Sequence, residues 1–170
     1  MSTHALAADI GGTNIRVALF DREGRISHRR FILTETGHGK DAALGRLADA
    51  MEAVKGLADP GTLVGAGISL AGPTDPDTGV MYDPPNLPGW DGFSPVPALE
   101  ERLSLRVAAA NDASLGALAE YRYGAGRGHR HIIYMTVSTG IGGGIVIDGE
   151  LYTGSRGFAG EIGHISIASD

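Results

Sequence analysis

The segment Asp9-Ile10-Gly11-Gly12-Thr13 combines groups that suit phosphate and metal chemistry. An apolar run ends in a carboxylate, and a Gly-Gly pair and a hydroxyl follow. Glycines without a Cβ let backbone N–H groups approach an anion closely. Asp9 suits a hydrated Mg²⁺, because this ion prefers a carboxylate plus water. The alternative is an ordinary hairpin, in which Gly-Gly is a common turn.

A second glycine-rich segment, Ser138-Thr139-Gly140-Ile141-Gly142-Gly143-Gly144, also separates two apolar runs. It is not a dinucleotide-binding fingerprint, because the G-x-G-x-x-G spacing is absent and no helix is predicted after it. It also lacks the Gly-Lys-Ser/Thr of a Walker loop. A hydroxyl and several N–H groups at such a turn suit phosphate binding, and two turns would hold a nucleotide's phosphates from both sides. Two plain hairpins remain the alternative.

The pair Asn111-Asp112 stands where a predicted strand runs into a predicted helix. A carboxylate there suits a general base that accepts a proton from a hydroxyl nucleophile, with Asn111 orienting the substrate. In phosphoryl transfer the protein mainly positions groups and stabilises charge, and one carboxylate aligns the nucleophile. Either residue also suits a helix N-cap without any chemistry.

Two further segments offer groups that would recognise sugar hydroxyls. Asn86, in the proline-rich loop 83–90, has both a donor and an acceptor. Trp90 in the same loop either stacks on a sugar or anchors the loop by burial. Glu161 and His164 lie three residues apart and would bind neighbouring hydroxyls. His164 is also a weak candidate for a metal ligand.

The segment Gly67-Ile68-Ser69-Leu70-Ala71 nearly matches the nucleophile elbow of serine hydrolases, with Ala71 where a glycine is expected. That motif needs a helix directly after the serine. Pro73 and Pro76 follow here instead. A serine hydrolase is therefore the weakest of the interpretations.

The composition suits one soluble globular unit or a pair of small lobes, with 170 residues and 42% hydrophobic residues. The formal net charge of -6 argues against a nucleic-acid binder, because phosphate neutralisation needs a basic surface. No apolar run reaches the ~20 residues that span a bilayer, and no signal peptide is evident. Cys is absent, which fits a reducing compartment, so we expect a cytoplasmic protein without nucleic-acid or membrane partners.

The elements that would carry these segments form an α/β protein. Strands are predicted at 5–10, 15–20, 26–33, 63–70, 105–110, 131–137, 143–147, 150–152 and 162–167, and 5–10, 15–20 and 63–70 are apolar runs. Helical spacing predicts helices at 40–57, 98–103 and 113–123. The segment 71–97 is a long Pro/Gly/Asp loop, and loops of that length are usually functional. Because the pattern begins again near Asn111, we expect lobes at 1–110 and 111–170, the second unfinished because no helix covers its last strand.

Taken in order, these segments resemble the ROK family of sugar kinases, close to bacterial glucokinases and N-acetylhexosamine kinases. The resemblance rests on Asp9-x-Gly-Gly-Thr13, Gly72-Pro73, Asn86 to Trp90, Asn111-Asp112-Ala113, the glycine-rich segment 138–144 and Gly160 to His164. These motifs cover nearly the whole chain, so together they are specific although each alone is weak. The resemblance implies an actin-like, hexokinase-type ATPase fold, with two α/β lobes and the active site in the cleft between them.

The resemblance implies a role in binding or catalysis for individual residues of this chain. The resemblance implies ATP- and Mg²⁺-dependent phosphorylation of a hexose, glucose first, at its 6-hydroxyl, with Asp112 as the general base. The phosphate groups and Mg²⁺ would be held by Asp9, Gly11, Gly12 and Thr13 in the first turn and by Thr139, Gly140 and Gly142 in the second. The sugar would be held by Gly72, Asn86, Asn111, Asp112, Glu161 and His164.

The chain departs from the family pattern in three single residues, Asn14, Ala110 and Ser138, where many members have Lys, Glu and Gly. None of these changes removes a predicted catalytic group. Members of the family are longer chains, in which a Cys-rich zinc loop, an adenosine-binding segment and a closing helix follow. The resemblance implies that His164 is a zinc ligand only when the Cys-rich loop is present. The thiolates that complete the site are absent here, so zinc is not expected for this chain alone.

We therefore expect the N-terminal portion of such a kinase, with a sugar and ATP as its small-molecule partners. Members of the family often dimerise through the larger lobe, so a homodimer is one of the oligomeric states that the resemblance leaves open. The alternative is a catalytically inactive sugar-binding fragment or a sugar-sensing relative. Release of ADP separates these hypotheses, whereas sugar binding alone does not.

Overall fold

The computed structural model describes residues 3–59, 61–138 and 140–166. The chain divides into two compact units, Met1–Ala110 and Asn111–Asp170. One sheet of five strands and one of three strands organise the described residues. Among the helices of these residues, none is long and apolar enough to cross a membrane.

The first unit is built on a five-stranded sheet with the strand order β3-β2-β1-β4-β5. Its strands are β1 (His4–Ile10), β2 (Asn14–Asp21), β3 (Ile26–Leu33), β4 (Leu63–Leu70) and β5 (Val107–Asn111). β2 pairs antiparallel with both β1 and β3, so the predicted opening meander is confirmed. β1 pairs parallel with β4, and Asp9 lies opposite Ser69. The ends of these two strands therefore meet at one edge of the sheet.

One face of this sheet forms the core, because alternate residues of a strand point to opposite faces. Leu6, Ala8 and Ile10 of β1 are buried in this way. Helix α1 (Lys40–Lys55) contributes buried residues at helical spacing, among them Leu47, Met51 and Val54. Burying a large aliphatic side chain contributes about 1.5–3 kcal/mol. This packed layer therefore fixes the strand ends that carry the polar groups.

The long loop between β4 and helix α2 (Val96–Leu103) is fixed by buried anchors rather than by regular structure. Leu87 is fully buried and Trp90 is 1% exposed. The Trp90 ring meets the Phe93 ring edge-on, with 5.4 Å between the ring centroids. Lys40, at the start of α1, places Nζ 3.9 Å from the centroid of Phe93, within the range of a cation–π contact. The loop is thus attached to the core at Trp90 and to α1 at Phe93.

The second unit pairs a helix with a small antiparallel sheet. It contains α3 (Asp112–Tyr123), β6 (Ile132–Val137), β7 (Ile141–Ile147) and β8 (Glu150–Tyr152), with the strand order β6-β7-β8. A Cβ at Gly144 of β7 would lie 2.6 Å from the Cβ of Ala117 in α3. A Cβ at Gly142 would lie 3.1 Å from the Cβ of Ala113. The lack of side chains at Gly142 and Gly144 therefore lets β7 pack directly against α3.

Several predicted bounds of helices and strands differ from those in the structure. α2 begins at Val96 rather than at residue 98, because proline is tolerated in the first helical turn. α1 ends at Lys55 rather than at residue 57, and β5 begins at Val107 rather than at residue 105. β7 begins at Ile141 rather than at residue 143, because Gly142 pairs with Thr136 of β6 instead of forming the turn. The strand predicted at 162–167 is wrong over its described part, where Ile162–His164 form one 3-10 turn.

Candidate functional site

The first glycine turn joins β1 to β2 and is closed by a hydrogen bond from the Gly11 N–H to the Asn14 carbonyl oxygen, at 3.0 Å. Ile10 and Ile15 pair across its base and are both fully buried. The hairpin alternative is therefore correct as a description of the backbone. A hairpin turn with two glycines still exposes N–H groups to an anion, so this geometry is compatible with both interpretations.

Thr34 binds the backbone of this turn, although the sequence analysis did not identify it as a site residue. Its N–H donates to the Thr13 carbonyl oxygen at 2.9 Å, and its hydroxyl donates to the Gly11 carbonyl oxygen at 2.7 Å. Thr34 is fully buried, and its own carbonyl oxygen accepts two hydrogen bonds from Arg46 of α1. Two carbonyl groups of the turn are thus engaged by protein donors, which fixes the orientation of the turn's peptide planes. No sequence motif marks Thr34, because its role depends on pairing across the sheet.

The carboxylate of Asp9 is held by two side chains from neighbouring strands. The Ser69 hydroxyl donates to Oδ1 at 2.9 Å, and Arg16 Nη1 donates to Oδ2 at 3.0 Å. The side chain of Asp9 is 39% exposed, so it remains accessible to solvent. Single carboxylates in such settings bind Mg²⁺ together with water and phosphate oxygens. The donor set at Asp9 therefore fits Mg²⁺ carried by a phosphate ligand.

Ser69 is a positioning residue for this carboxylate rather than a nucleophile. It lies inside β4, which runs from Leu63 to Leu70, and no helix follows directly. A nucleophile elbow requires a sharp turn from a strand into a helix at the serine. The serine hydrolase interpretation is therefore wrong for this geometry.

The proline-rich loop packs directly on the first turn. A Cβ built on Gly12 would lie 2.7 Å from the Asn86 carbonyl oxygen and 2.9 Å from the Asn86 Cβ. A Cβ built on Gly72 would lie 2.8 Å from the Cβ of Pro84 in the same loop. Asn86 itself is exposed. Asn86 and the first turn, predicted separately for sugar and phosphate, therefore lie side by side within the first unit.

Trp90 anchors this loop and is not available for stacking on a sugar. Its side chain is 1% exposed and packs on Phe93. Of the two roles considered for this tryptophan, burial is therefore the correct one. The amphipathic indole ring is used here for its apolar area.

Asn111 is the N-cap of α3, and Asp112 is the first residue of that helix. Asn111 Oδ1 accepts a hydrogen bond from the Ser114 N–H at 3.1 Å. Asp112 Oδ1 accepts from the Ala113 N–H at 2.8 Å and from Asn111 Nδ2 at 3.1 Å. Asp112 is exposed, whereas Asn111 is buried. The helix terminus favours the ionised carboxylate at this position, which is the form that a general base needs.

The second glycine turn is shorter than the sequence predicted. The Ser138 N–H donates to the Gly140 carbonyl oxygen at 2.8 Å, and Val137 pairs with Ile141. Thr139 lies outside the described residues. A Cβ on Gly140 would meet nothing within 4 Å, so its backbone is open to a ligand. Gly142 lies in β7, where packing against α3 already accounts for a glycine.

Glu161 and His164 lie in a segment that is pressed against β7. A Cβ at Gly143 would lie 2.7 Å from the Gly160 carbonyl oxygen. His164 Nε2 is 3.9 Å from Glu161 Oε2, and the His164 side chain is 84% exposed. No group of three His, Cys, Asp or Glu side chains that would hold a metal occurs in the described part of the chain.

Comparison with known proteins places the chain in a family. The sequence matches the ROK family over residues 5–170, and the chain belongs to that family. It is 35% identical to a glucokinase of Thermotoga maritima over 162 aligned residues. The aligned region covers 95% of this chain and 50% of the relative. It is 38% identical to an N-acetylmannosamine kinase of Salmonella newport over 161 aligned residues. This aligned region covers 94% of the chain and 53% of the relative.

A solved structure of similar shape is the ROK family glucokinase from Streptomyces griseus in complex with glucose and AMPPNP. The TM-score is 0.86 at 33% sequence identity, over 97% of this chain and 51% of that chain. The predicted actin-like, hexokinase-type α/β fold is confirmed by this similarity. The chain spans about half the length of the relatives it matches.

Proposed function

We propose that this chain carries the general base and both phosphate-binding turns of an ATP-dependent sugar kinase that acts on a glucose-like hexose. Membership of the ROK family supports the class of reaction. The similarity to a glucokinase and an N-acetylmannosamine kinase supports a hexose or N-acetylhexosamine as the acceptor. Glucose is the first substrate to test and N-acetylmannosamine the second.

The observation that carries this proposal is the exposed and oriented carboxylate of Asp112. Two donors, the Ala113 N–H and Asn111 Nδ2, engage Oδ1. The carboxylate accepts the proton of the sugar's 6-hydroxyl while that oxygen attacks the γ-phosphorus. The new O–P bond forms as the bond from the γ-phosphorus to the bridging oxygen breaks, and ADP leaves. A positioned general base contributes about 10²–10⁴-fold to such a rate.

The two glycine turns supply phosphate contacts in this proposal. In this proposal Gly12 and Thr13 bind phosphate through their N–H groups and the Thr13 hydroxyl. Gly11 belongs to the same turn, but its N–H closes the turn on the Asn14 carbonyl oxygen, and Thr34 engages the carbonyl groups of Gly11 and Thr13. Thr139, Gly140 and Gly142 are the proposed phosphate contacts at the second glycine segment, where Gly142 lies at the start of β7 rather than in the turn. Asp9 would hold Mg²⁺, and this ion would supply neutralisation of phosphate charge.

The sugar is held in this proposal by polar groups that the family resemblance assigns to it. They are the backbone at Gly72 and the side chains of Asn86, Asn111, Asp112, Glu161 and His164. Asn111 is restricted by its capping bond to Ser114, so only its Nδ2 side is oriented towards Asp112. This arrangement favours hydrogen bonds to sugar hydroxyls over binding of an apolar substrate.

The test is sugar-dependent ADP release by the purified 170-residue chain with ATP and Mg²⁺. Parallel reactions contain glucose, N-acetylmannosamine or no sugar, and the Asp112→Asn variant is the matched control. Release that requires a sugar and Asp112 supports the proposal. A folded chain that binds glucose and releases no ADP is a sugar-binding protein, and this outcome overturns the proposal of a kinase for this chain.

A further inference from the structure

Asp9, Arg16 and Phe31 form a row across three neighbouring strands. Asp9 lies directly opposite Arg16 in the β1–β2 pair, and Arg16 lies directly opposite Phe31 in the β2–β3 pair. The guanidinium of Arg16 contacts both neighbours. Its Nη1 is 3.0 Å from Asp9 Oδ2, and its Cζ is 5.9 Å from the centroid of the Phe31 ring.

We infer that Arg16 is an internal competitor for the divalent cation at Asp9, a role that rests on the proposed function. Arg16 donates to Oδ2 and Ser69 donates to Oδ1, so each oxygen of the Asp9 carboxylate already has one partner. Bound to Asp9, the guanidinium neutralises the carboxylate in the metal-free protein. A cation that binds Asp9 therefore competes with the guanidinium for the same negative charge.

The exposure of the pair makes this displacement easy. The side chains of Arg16 and Asp9 are 56% and 39% exposed, and ion pairs in such positions contribute little to stability. The Ser69 hydroxyl remains on Oδ1 and keeps the carboxylate in place after Arg16 leaves. Phe31, itself 60% exposed, offers the displaced guanidinium an aromatic face. The row therefore provides a second partner for Arg16 when a metal occupies Asp9.

The test is a titration of the ¹⁵N-labelled chain with Mn²⁺, followed by paramagnetic broadening of the backbone amide signals of Gly11, Gly12 and Thr13. The Arg16→Gln variant is expected to reach half-maximal broadening at about two- to fivefold lower Mn²⁺, the range that an exposed ion pair supports. The Arg16→Lys variant keeps the charge, so its midpoint is expected to stay near that of the unaltered chain.

Arg25→Gln is the matched charge control. Arg25 lies beyond the opposite end of β2, where it pairs with Asp21 and Glu23. Removal of this charge is expected to leave the midpoint at the first turn unchanged. An Arg16→Gln midpoint that is equal to or higher than that of the unaltered chain overturns the inference, as does an equal decrease in Arg25→Gln.

Asp9→Asn separates this inference from the proposed function. If Mn²⁺ broadens the turn equally in Asp9→Asn and in the unaltered chain, Asp9 is not the metal ligand, and both the inference and that part of the proposed function fail. If broadening depends on Asp9 but not on Arg16, only the inference fails.

Discussion

Gly12 and Asn86 meet backbone to backbone, with the Cβ position of Gly12 only 2.7 Å from the Asn86 carbonyl oxygen. The turn predicted to hold phosphate and the loop predicted to hold a sugar are therefore one packed structure within the first unit. Any atom added at Gly12 has to move the backbone of the loop, because the nearest contact is not the end of a flexible side chain.

Gly12→Ala is expected to lower the free energy of unfolding by about 1–3 kcal/mol, the usual cost of overpacking. Gly11→Ala is the matched control, because its new Cβ would meet only the Asn14 carbonyl oxygen at 3.9 Å. Urea denaturation followed by the fluorescence of the buried Trp90 measures both variants. Equal stability of the two variants would contradict the packing described here.

Thr34→Val is expected to cost about 1–3 kcal/mol of stability, because it leaves the half-buried carbonyl group of Gly11 without its donor. Thr34→Ser keeps the hydroxyl, so its cost is expected to be smaller. The same urea titration measures the stabilities, and calorimetric titration with the ATP analogue AMPPNP tests the turn itself. We expect weaker nucleotide binding in Thr34→Val than in Thr34→Ser, and the reverse order would remove Thr34 from a positioning role.

Asp112→Asn is expected to reduce turnover by about 10²–10⁴-fold, the usual contribution of a general base, with little effect on sugar affinity. The asparagine keeps an Oδ1 that accepts from the Ala113 N–H, so the start of α3 is expected to stay intact. Coupled-enzyme kinetics gives the turnover, and calorimetry gives the affinity for glucose. Asp148→Asn makes the same change at the β7–β8 turn, and its turnover is expected to match that of the unaltered chain. Unchanged turnover in Asp112→Asn would exclude Asp112 as the base.

Asp21 gives the protein a pH-dependent contribution to stability. The side-chain hydrogen bond from Arg25, at 2.8 Å, is the main cause that lowers the pKa of Asp21 below its ordinary value of 3.8. A carboxyl whose pKa is lowered by folding stabilises the protein above the pKa of the unfolded chain. That stabilisation is lost as the pH falls through the folded-state pKa.

The Asp21→Asn variant is therefore expected to be less stable than the unaltered chain at pH 5–7, and the difference is expected to shrink below about pH 4. Thermal unfolding of both proteins across this pH range measures the effect. A stability difference that stays constant from pH 7 to pH 3 would show that the charge of Asp21 is not involved.

The sequence predicted the strands β3 and β4 to the residue, because both have strand length and clear turn signals beside them, and β4 is in addition an apolar run. The same logic failed at β7, where glycines were interpreted as a turn although packing against α3 requires them. It also failed at 162–164, where a short apolar segment forms a 3-10 turn. Local sequence patterns predict that a strand or helix is present. Whether a glycine-rich segment forms a turn or a strand depends on the element that packs against it.

The sequence motifs identified the candidate site residues. They did not identify the residues that hold these side chains and turns in place. Arg16 was readable in principle, because it follows the first turn at the hairpin position that pairs with Asp9. Thr34 was not, because it contacts Gly11 across the sheet and no local pattern marks it. Ser69 was noticed for the wrong chemistry, because its contact with Asp9 depends on the parallel pairing of β1 with β4.

The close packing of β7 on α3 has a mechanical consequence. Gly142 and Gly144 bring the strand against Ala113 and Ala117, with no side chain in between that could change its rotamer and absorb a shift. The helix that begins at Asp112 and the strand β7 therefore have little room to slide past each other, because close-packed interiors are nearly incompressible. A shift of α3 is expected to be transmitted to β7 as strain, so the start of this helix and the glycines of β7 keep their mutual geometry.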